Sequence, residues 1–290
     1  MIAAVLLTSL FGVVAVFSAS RYVAEEDYGN PFYFAIKQLI GFFGGAAAMT
    51  ATAIFDYGKY KKAALILFFA GLGLLGLVFV PGLGVKVYGA ARWINLGLFT
   101  IQPSEFARLF LVLFIAAYFD KNPARAKTFK GILIPLAAGL ATALLVIIEP
   151  NMSVTVCVIA TLFILLFAAG VKLRHFAVLL VPALAAIPLL IIAEPYRLKR
   201  LAAFLDPWAN PRGEGYQLIQ SLYGLGSGGF FGTGLFNSRQ KYRFLPFSES
   251  DFILSVIGEE TGFFGVTVLL LTAFFLVLYG IRAARRAEDV

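Results

Sequence analysis

Apolar residues along this chain are bunched into long runs separated by short polar stretches. The runs cover Ile2–Ala19, Phe34–Ile54, Ala63–Val80, Ser104–Phe119, Gly131–Ile148, Met152–Ala169, Phe176–Ala193 and Phe263–Ile281. A helix that crosses a bilayer needs roughly 20 mainly apolar residues, and it satisfies its own backbone hydrogen bonds. The pattern therefore predicts an all-α fold: a polytopic transmembrane helix bundle of eight spans, forming one membrane domain over residues 1–290. Ser18-Ala19-Ser20 has the small residues of a signal-peptide cleavage site. No basic stretch precedes the first run and seven more spans follow, so it reads as a span. One connection is out of proportion. Residues 194–260 form a long extracytoplasmic loop between spans seven and eight, and Gln217–Leu225 within it has an amphipathic pattern.

Composition agrees with this reading. Hydrophobic residues make up 60% of the chain and charged residues only 14%, against about 25% charged in soluble domains. The single cysteine, Cys157, excludes an intrachain disulfide. With only one histidine, His175, a Cys/His zinc cluster is excluded too.

The placement of the net charge of +8 sets the topology. Lys59, Lys61, Lys62, Lys121, Arg125, Lys127, Lys130, Lys172, Arg174, Arg282, Arg285 and Arg286 fall on one set of connections. By the positive-inside rule that side is cytoplasmic, as are the N-terminus and the Val290 end. The 194–260 loop is nonetheless basic, with Arg197, Lys199, Arg200, Arg212, Arg239, Lys241 and Arg243. Attraction to anionic headgroups, at about 1 kcal/mol per basic residue, is one explanation. A binding surface for an anionic substrate at the outer leaflet is the other. Arg197 and Arg200 share a helix face, and paired guanidinium forks suit a phosphate.

Gly224-x-Gly226-x-x-Gly229 matches a dinucleotide fingerprint by letter only, since no strand or βαβ unit surrounds it. Its glycines suit tight turns and close backbone approach. In Phe247–Glu260, Ser248 or Ser250 is a candidate helix cap, and Asp251, Ser255 and Glu259 recur every four residues as a polar stripe. A modest reading makes Asp251 a helix-terminal acid; a sharper one makes it chemical. Glu105 and Arg108 lie three apart at the head of the fourth run and read as an ion pair that eases the cost of charge in a membrane. Gly41-x-x-x-Gly45 permits close helix packing.

Several strings, taken in order, resemble the shape, elongation, division and sporulation family of FtsW, RodA and SpoVE. They are Phe17-Ser18-Ala19-Ser20, Gly89-Ala90-Ala91-Arg92-Trp93-Ile94, Gln102-Pro103-Ser104-Glu105, Glu149-Pro150-Asn151, Pro195–Arg200, Asp206-Pro207-Trp208, Gly215-Tyr216-Gln217, Asn237–Tyr242 and Ser250-Asp251-Phe252-Ile253. The 195–217 strings are closest to the division and sporulation branch. The resemblance implies a glycosyltransferase that joins lipid II units into glycan strands outside the bacterial cytoplasmic membrane. It implies Asp251 as the essential acid, Trp93 as a functional tryptophan, and Glu105 and Arg108 as the functional pair of the fourth helix. A class B penicillin-binding transpeptidase and other divisome proteins are the implied partners; no nucleic acid is expected.

The chemistry asks for a base at the acceptor hydroxyl and cations at a diphosphate leaving group. Asp251 suits the first, or would help hold a Mg or Mn ion. Arg92, Trp93, Arg197, Lys199, Arg200, Arg239 and Lys241 are the candidate substrate-binding residues. Phe247 and Arg108 depart from the family's usual acid and lysine. The family usually has ten spans, so the chain reads as shortened at its C-terminal end. A lipid II flippase and a non-catalytic scaffold for the transpeptidase are the alternative readings.

Overall fold

The computed structural model describes residues 1–87, 90–95, 97, 100–192 and 195–287. Gly89, Ala193, Glu194 and the Val290 terminus lie outside the described residues, and of Arg197 only the backbone is described. The chain divides into two compact units. The first comprises Met1–Ile54 and Leu189–Ala287; the second is built from Phe55–Pro188.

The second unit contains α3 (Tyr57–Leu77), α4 (Pro103–Lys121), α5 (Phe129–Ile148), α6 (Met152–Ala168) and most of α7 (Leu173–Ile192). Asp56 caps α3 by accepting from the Gly58 N–H at 3.1 Å, and Thr128 caps α5 through Gly131. Leu111, Ile115 and Phe119 recur at helical spacing on α4 and pack with Ile132, Val158, Leu162 and Leu166 into one core. Gly139 is there for closeness: a Cβ would lie 2.6 Å from the Leu162 side chain. A small antiparallel sheet joins α3 to α4, from β1 (Gly84–Val87), β2 (Ala90–Asn95) and β3 (Thr100–Ile101), with Val85 opposite Trp93 and Ile94 opposite Ile101. The apolar periodicity gave no sign of these strands, because they lie in the mixed connection between two runs.

The first unit contains α1 (Ile2–Tyr28), α2 (Tyr33–Ile54), α8 (Pro195–Leu205), α9 (Tyr216–Ser227) and α10 (Ile253–Arg285). Five of the eight apolar runs fall wholly within helices; Ala63–Val80 continues three residues past α3, Met152–Ala169 one past α6, and the run begun at Phe176 extends beyond the described end of α7, so the fold is all-α with a minor sheet. By length and composition α1, α2, α3, α5 and α10 can cross a membrane; α6 and the start of α7 are shorter apolar helices. α4 carries Glu105, Arg108, Asp120 and Lys121 within its 19 residues.

α10 is interrupted at Gly262, where φ is 67° and ψ is −170°. That conformation is open essentially to glycine alone. An interruption frees backbone groups, and the 229–234 segment takes them up. The N–H groups of Phe263 and Phe264 donate to the carbonyls of Gly229 and Phe230 at 2.9 and 3.0 Å. The carbonyls of Glu259 and Glu260 accept from the N–H groups of Thr233 and Gly234 at 2.9 and 3.1 Å. The fit is close, since a Cβ on Gly262 would lie 2.4 Å from the Gly232 nitrogen. α9 seats on the first half of α10 in the same manner, with Gly228 against the Gly258 carbonyl and Gly224 against Ser255. Of the glycines of the false dinucleotide motif, Gly224 serves close approach and Gly229 (φ 55°) turning, while Gly226 sits in an open helical position.

Gly262→Ala is expected to lose at least about 1–3 kcal/mol through backbone strain alone. Gly280→Ala, in an open helical position, should gain about 0.5–1 kcal/mol. Thermal unfolding of the two variants in detergent checks this, and equal midpoints would contradict the role given to Gly262.

Candidate functional site

In the first unit the chemistry gathers on the segment from Ser238 to Glu260. Glu259 and Glu260, on the last turn before the interruption, are only 2% and 4% exposed. Buried carboxylates are costly unless they are bonded, and these two are. Glu259 accepts from the Ser238 hydroxyl at 2.5 Å and from the N–H groups of Arg239 and Gln240 at 3.0 and 3.3 Å. Glu260 accepts from the Ser18 hydroxyl of α1 at 2.6 Å, the Ser238 N–H at 3.2 Å and the Lys241 ammonium at 3.2 Å. Three successive backbone N–H groups, 238 to 240, therefore point at two acids. Lys241, expected as a substrate cation, is 5% exposed. Its ammonium also donates to the Phe236 carbonyl and the Ser18 hydroxyl, so three internal acceptors surround it. Arg243 pairs with Glu26 at 2.7 Å and with Asp27, which fastens the same segment to the last turn of α1.

Asp251 lies differently from the sequence expectation. α10 begins at Ile253 with Phe252 at its cap and no side-chain cap, so neither Ser248 nor Ser250 caps it. The N–H groups of Ser250 and Phe252 both donate to the Phe247 carbonyl, which makes a turn where a helix was expected. The polar stripe is split as a result. Ser255 and Glu259 face inward, with Ser255 bonded to Ser221 of α9 at 2.6 Å, while Asp251 stands on the turn, exposed. Among the described residues no hydrogen bond or ion pair reaches its carboxylate. Arg239 is exposed on the same segment, and Lys199 and Arg200 are exposed on α8. Arg197 and Arg200 lie three apart on that helix.

The second unit holds Arg92, Trp93, Glu105 and Arg108. Arg108 pairs with Glu105 at 2.6 Å, as the ion pair expected from their spacing, with Glu105 exposed and Arg108 half-buried. Arg92 on β2 donates through Nε to the Glu149 carbonyl at 3.3 Å and through its terminal nitrogen to the Pro150 carbonyl. It thereby caps the end of α5 and holds β2 there, with Trp93 exposed beside it. Sequence reasoning noticed Glu149 only as part of a motif. The structure makes it a chemical candidate: its side chain is 1% exposed and neither carboxyl oxygen has a partner among the described residues. The Ser104 hydroxyl is equally buried and unpartnered. Ala107 packs with Val146, and Ser104 and Glu149 sit one turn farther along those two helices.

Glu149 lies in the turn between α5 and α6. Burial pushes its carboxyl up to about 7, against the lowering influence of Arg92. Unfolding returns it to the ordinary value of 4.5. Its contribution to stability is thus fully present below about 4.5 and lost as pH rises through about 7. Glu149→Gln should abolish that part of the pH dependence while keeping the fold, as read by thermal unfolding across this window. A variant with the wild-type slope would contradict it.

With this geometry in hand, the comparisons are informative. The family model described as cell cycle protein, FtsW/RodA/SpoVE, matches residues 1–290. A Geobacter sp. (strain M18) protein named "Probable peptidoglycan glycosyltransferase FtsW" is 42% identical, over 99% of this chain and 78% of its own length. Stage V sporulation protein E of Bacillus subtilis is 36% identical, over 98% of this chain and 78% of its length. A chain from a peptidoglycan synthase complex, solved for its structural coordination of polymerization and crosslinking, superposes with a TM-score of 0.69. It is 27% identical, over 93% of this chain and 75% of that one. The chain is a multi-pass membrane protein and belongs to the FtsW/RodA/SpoVE family of cell cycle proteins.

Proposed function

We propose that this chain is a peptidoglycan glycosyltransferase that polymerises lipid II into glycan strands. It does so at the outer face of the bacterial cytoplasmic membrane, in cell division or sporulation, with both ends of the chain in the cytoplasm. The observation that carries the reading is Asp251, an exposed carboxylate without a partner among the described residues, on a turn fixed on both sides, in a chain whose FtsW relatives bear that activity in their names. A carboxylate with no internal partner is free to take a proton. In the reaction the acceptor hydroxyl attacks the anomeric carbon of the donor sugar. The new C–O bond forms, the bond to the lipid diphosphate breaks with its electron pair, and the hydroxyl proton passes to Asp251. Charge then grows on the diphosphate. Arg239, Lys199 and Arg200, which are exposed, together with Arg197 on α8, are the candidate cations to meet it. Arg92 and Trp93 on β2 are the second unit's candidates for substrate contact, and Glu105 and Arg108 are its functional ion pair.

A divalent cation, when bound, would supply further positive charge at the diphosphate. Asp251 is the residue that would hold it, and a hard carboxylate oxygen fits Mg or Mn. Among the described residues no group of three His, Cys, Asp or Glu could hold a metal ion, so its other ligands would be substrate oxygens and water. The likeness to a chain of a synthase complex supports pairing with a crosslinking enzyme, the class B penicillin-binding transpeptidase, among other divisome proteins.

Glycan strand formation from lipid II, by the purified chain with its cognate transpeptidase, tests the proposal. Asp251→Ala and Asp251→Asn should each lose about 10²–10⁴-fold of the rate while remaining folded. Undiminished polymerisation by a stable Asp251→Ala protein would remove Asp251 from the mechanism. Absence of product from the wild type with its partner would favour the scaffold reading.

A further inference from the structure

The reading of Asp251 leaves unexplained why the most heavily bonded buried charges of the first unit lie off the reacting group, on Glu259, Glu260 and Lys241. We propose that these three residues, with Ser18, are positioning residues that fix the turn bearing Asp251; the inference rests on Asp251 being the acid of the reaction. Lys241 thereby leaves the set of substrate cations.

The geometry carries it in three steps. First, the two acids hold the backbone of 238–240 directly, by three N–H donations and the Ser238 hydroxyl. They therefore set the path of the chain rather than merely filling space. Second, Lys241 and Ser18 reach Glu260 from the loop and from α1, so one carboxylate ties three elements together. Third, the lock extends toward Asp251. The Leu245 N–H donates to the Gln240 carbonyl at 3.0 Å, and the Leu245 side chain is 1% exposed. On the far side Ser255 is bonded to Ser221. Asp251 is thus the free carboxylate on a short turn held at both ends. A charge that is itself saturated by internal acceptors has no donor left for a diphosphate, which sets Lys241 apart from the exposed Arg239.

The experiment compares initial rates against lipid II concentration, with cognate transpeptidase present, for wild type, Lys241→Met and Lys241→Met/Glu260→Gln. The double variant removes Lys241 and its ion-pair partner together and so leaves no newly unpaired buried charge, which guards against simple misfolding. A loss of position lowers kcat by about 100-fold with KM unchanged. A substrate cation, which meets charge on the diphosphate, would instead change kcat or KM while the turn stays ordered. Spin labels at Ser250→Cys and Arg21→Cys, in a Cys157→Ser background, report the turn without any turnover. The inter-label distance should be narrow in wild type and broad in the double variant. Full kcat and a narrow distance in a stable double variant would overturn the inference, as would a rise in KM with kcat intact. Should Asp251→Ala still polymerise, the reading of Asp251 itself fails. A dead Asp251→Ala beside a fully active double variant sinks only the positioning claim.

Discussion

A helix interrupted next to an apolar span must find new partners for the backbone groups it releases, and in this protein that requirement shapes the first unit. The interruption at Gly262 frees carbonyls on one side and N–H groups on the other. The glycine-rich 229–234 segment, a succession of turns, meets both sets. Unsatisfied peptide groups in apolar surroundings cost several kcal/mol each, so the segment and the break require one another. Once that segment is fixed, the residues after it are drawn over the end of the first half-helix. There Glu259 and Glu260 can reach their backbone. The conformational choice of one glycine is thus linked through hydrogen bonds to the position of an acid eleven residues before it, Asp251.

The buried charges follow the same logic. Two carboxylates and one ammonium under a loop are tolerable because each has several bonds and opposite charge stands beside them. Apolar residues could have filled that space without fixing the backbone, since dispersion has little directionality. The carboxylates define where the N–H groups of 238 to 240 lie. In the second unit the corresponding device is simpler. Arg92 caps the carbonyls that end α5 and holds a small sheet in place, leaving Trp93 at the surface and the Glu149 carboxyl buried without a partner among the described residues.

Much of the fold could be read from the chain alone, because apolar runs of bilayer length admit few structures. Even the restart of α10 was visible, since the last apolar run begins at Phe263, directly after the interruption. Spacing failed where tertiary hydrogen bonds decide. Asp251, Ser255 and Glu259 have helical spacing, yet the turn at Phe247 removes Asp251 from the helix. Lys241 reads as one more cation of a basic loop, because nothing in the sequence announces that Glu260 and Ser18 will surround it. Glu149 and the strands of residues 84–101 were hidden for the same reason: one depends on what packs around a helix end, the other on pairing inside a mixed segment.

The account turns on the claim that the segment carrying Asp251 is locked to an interrupted helix and is not a solvated loop. Amide hydrogen exchange of the wild-type protein in lipid nanodiscs tests this most directly. The amides of Thr233, Gly234, Ser238, Arg239 and Gln240 should exchange as slowly as those in the first half of α10. If those five amides exchange as fast as unbonded surface amides, the lock does not exist, and the position of Asp251 needs another explanation.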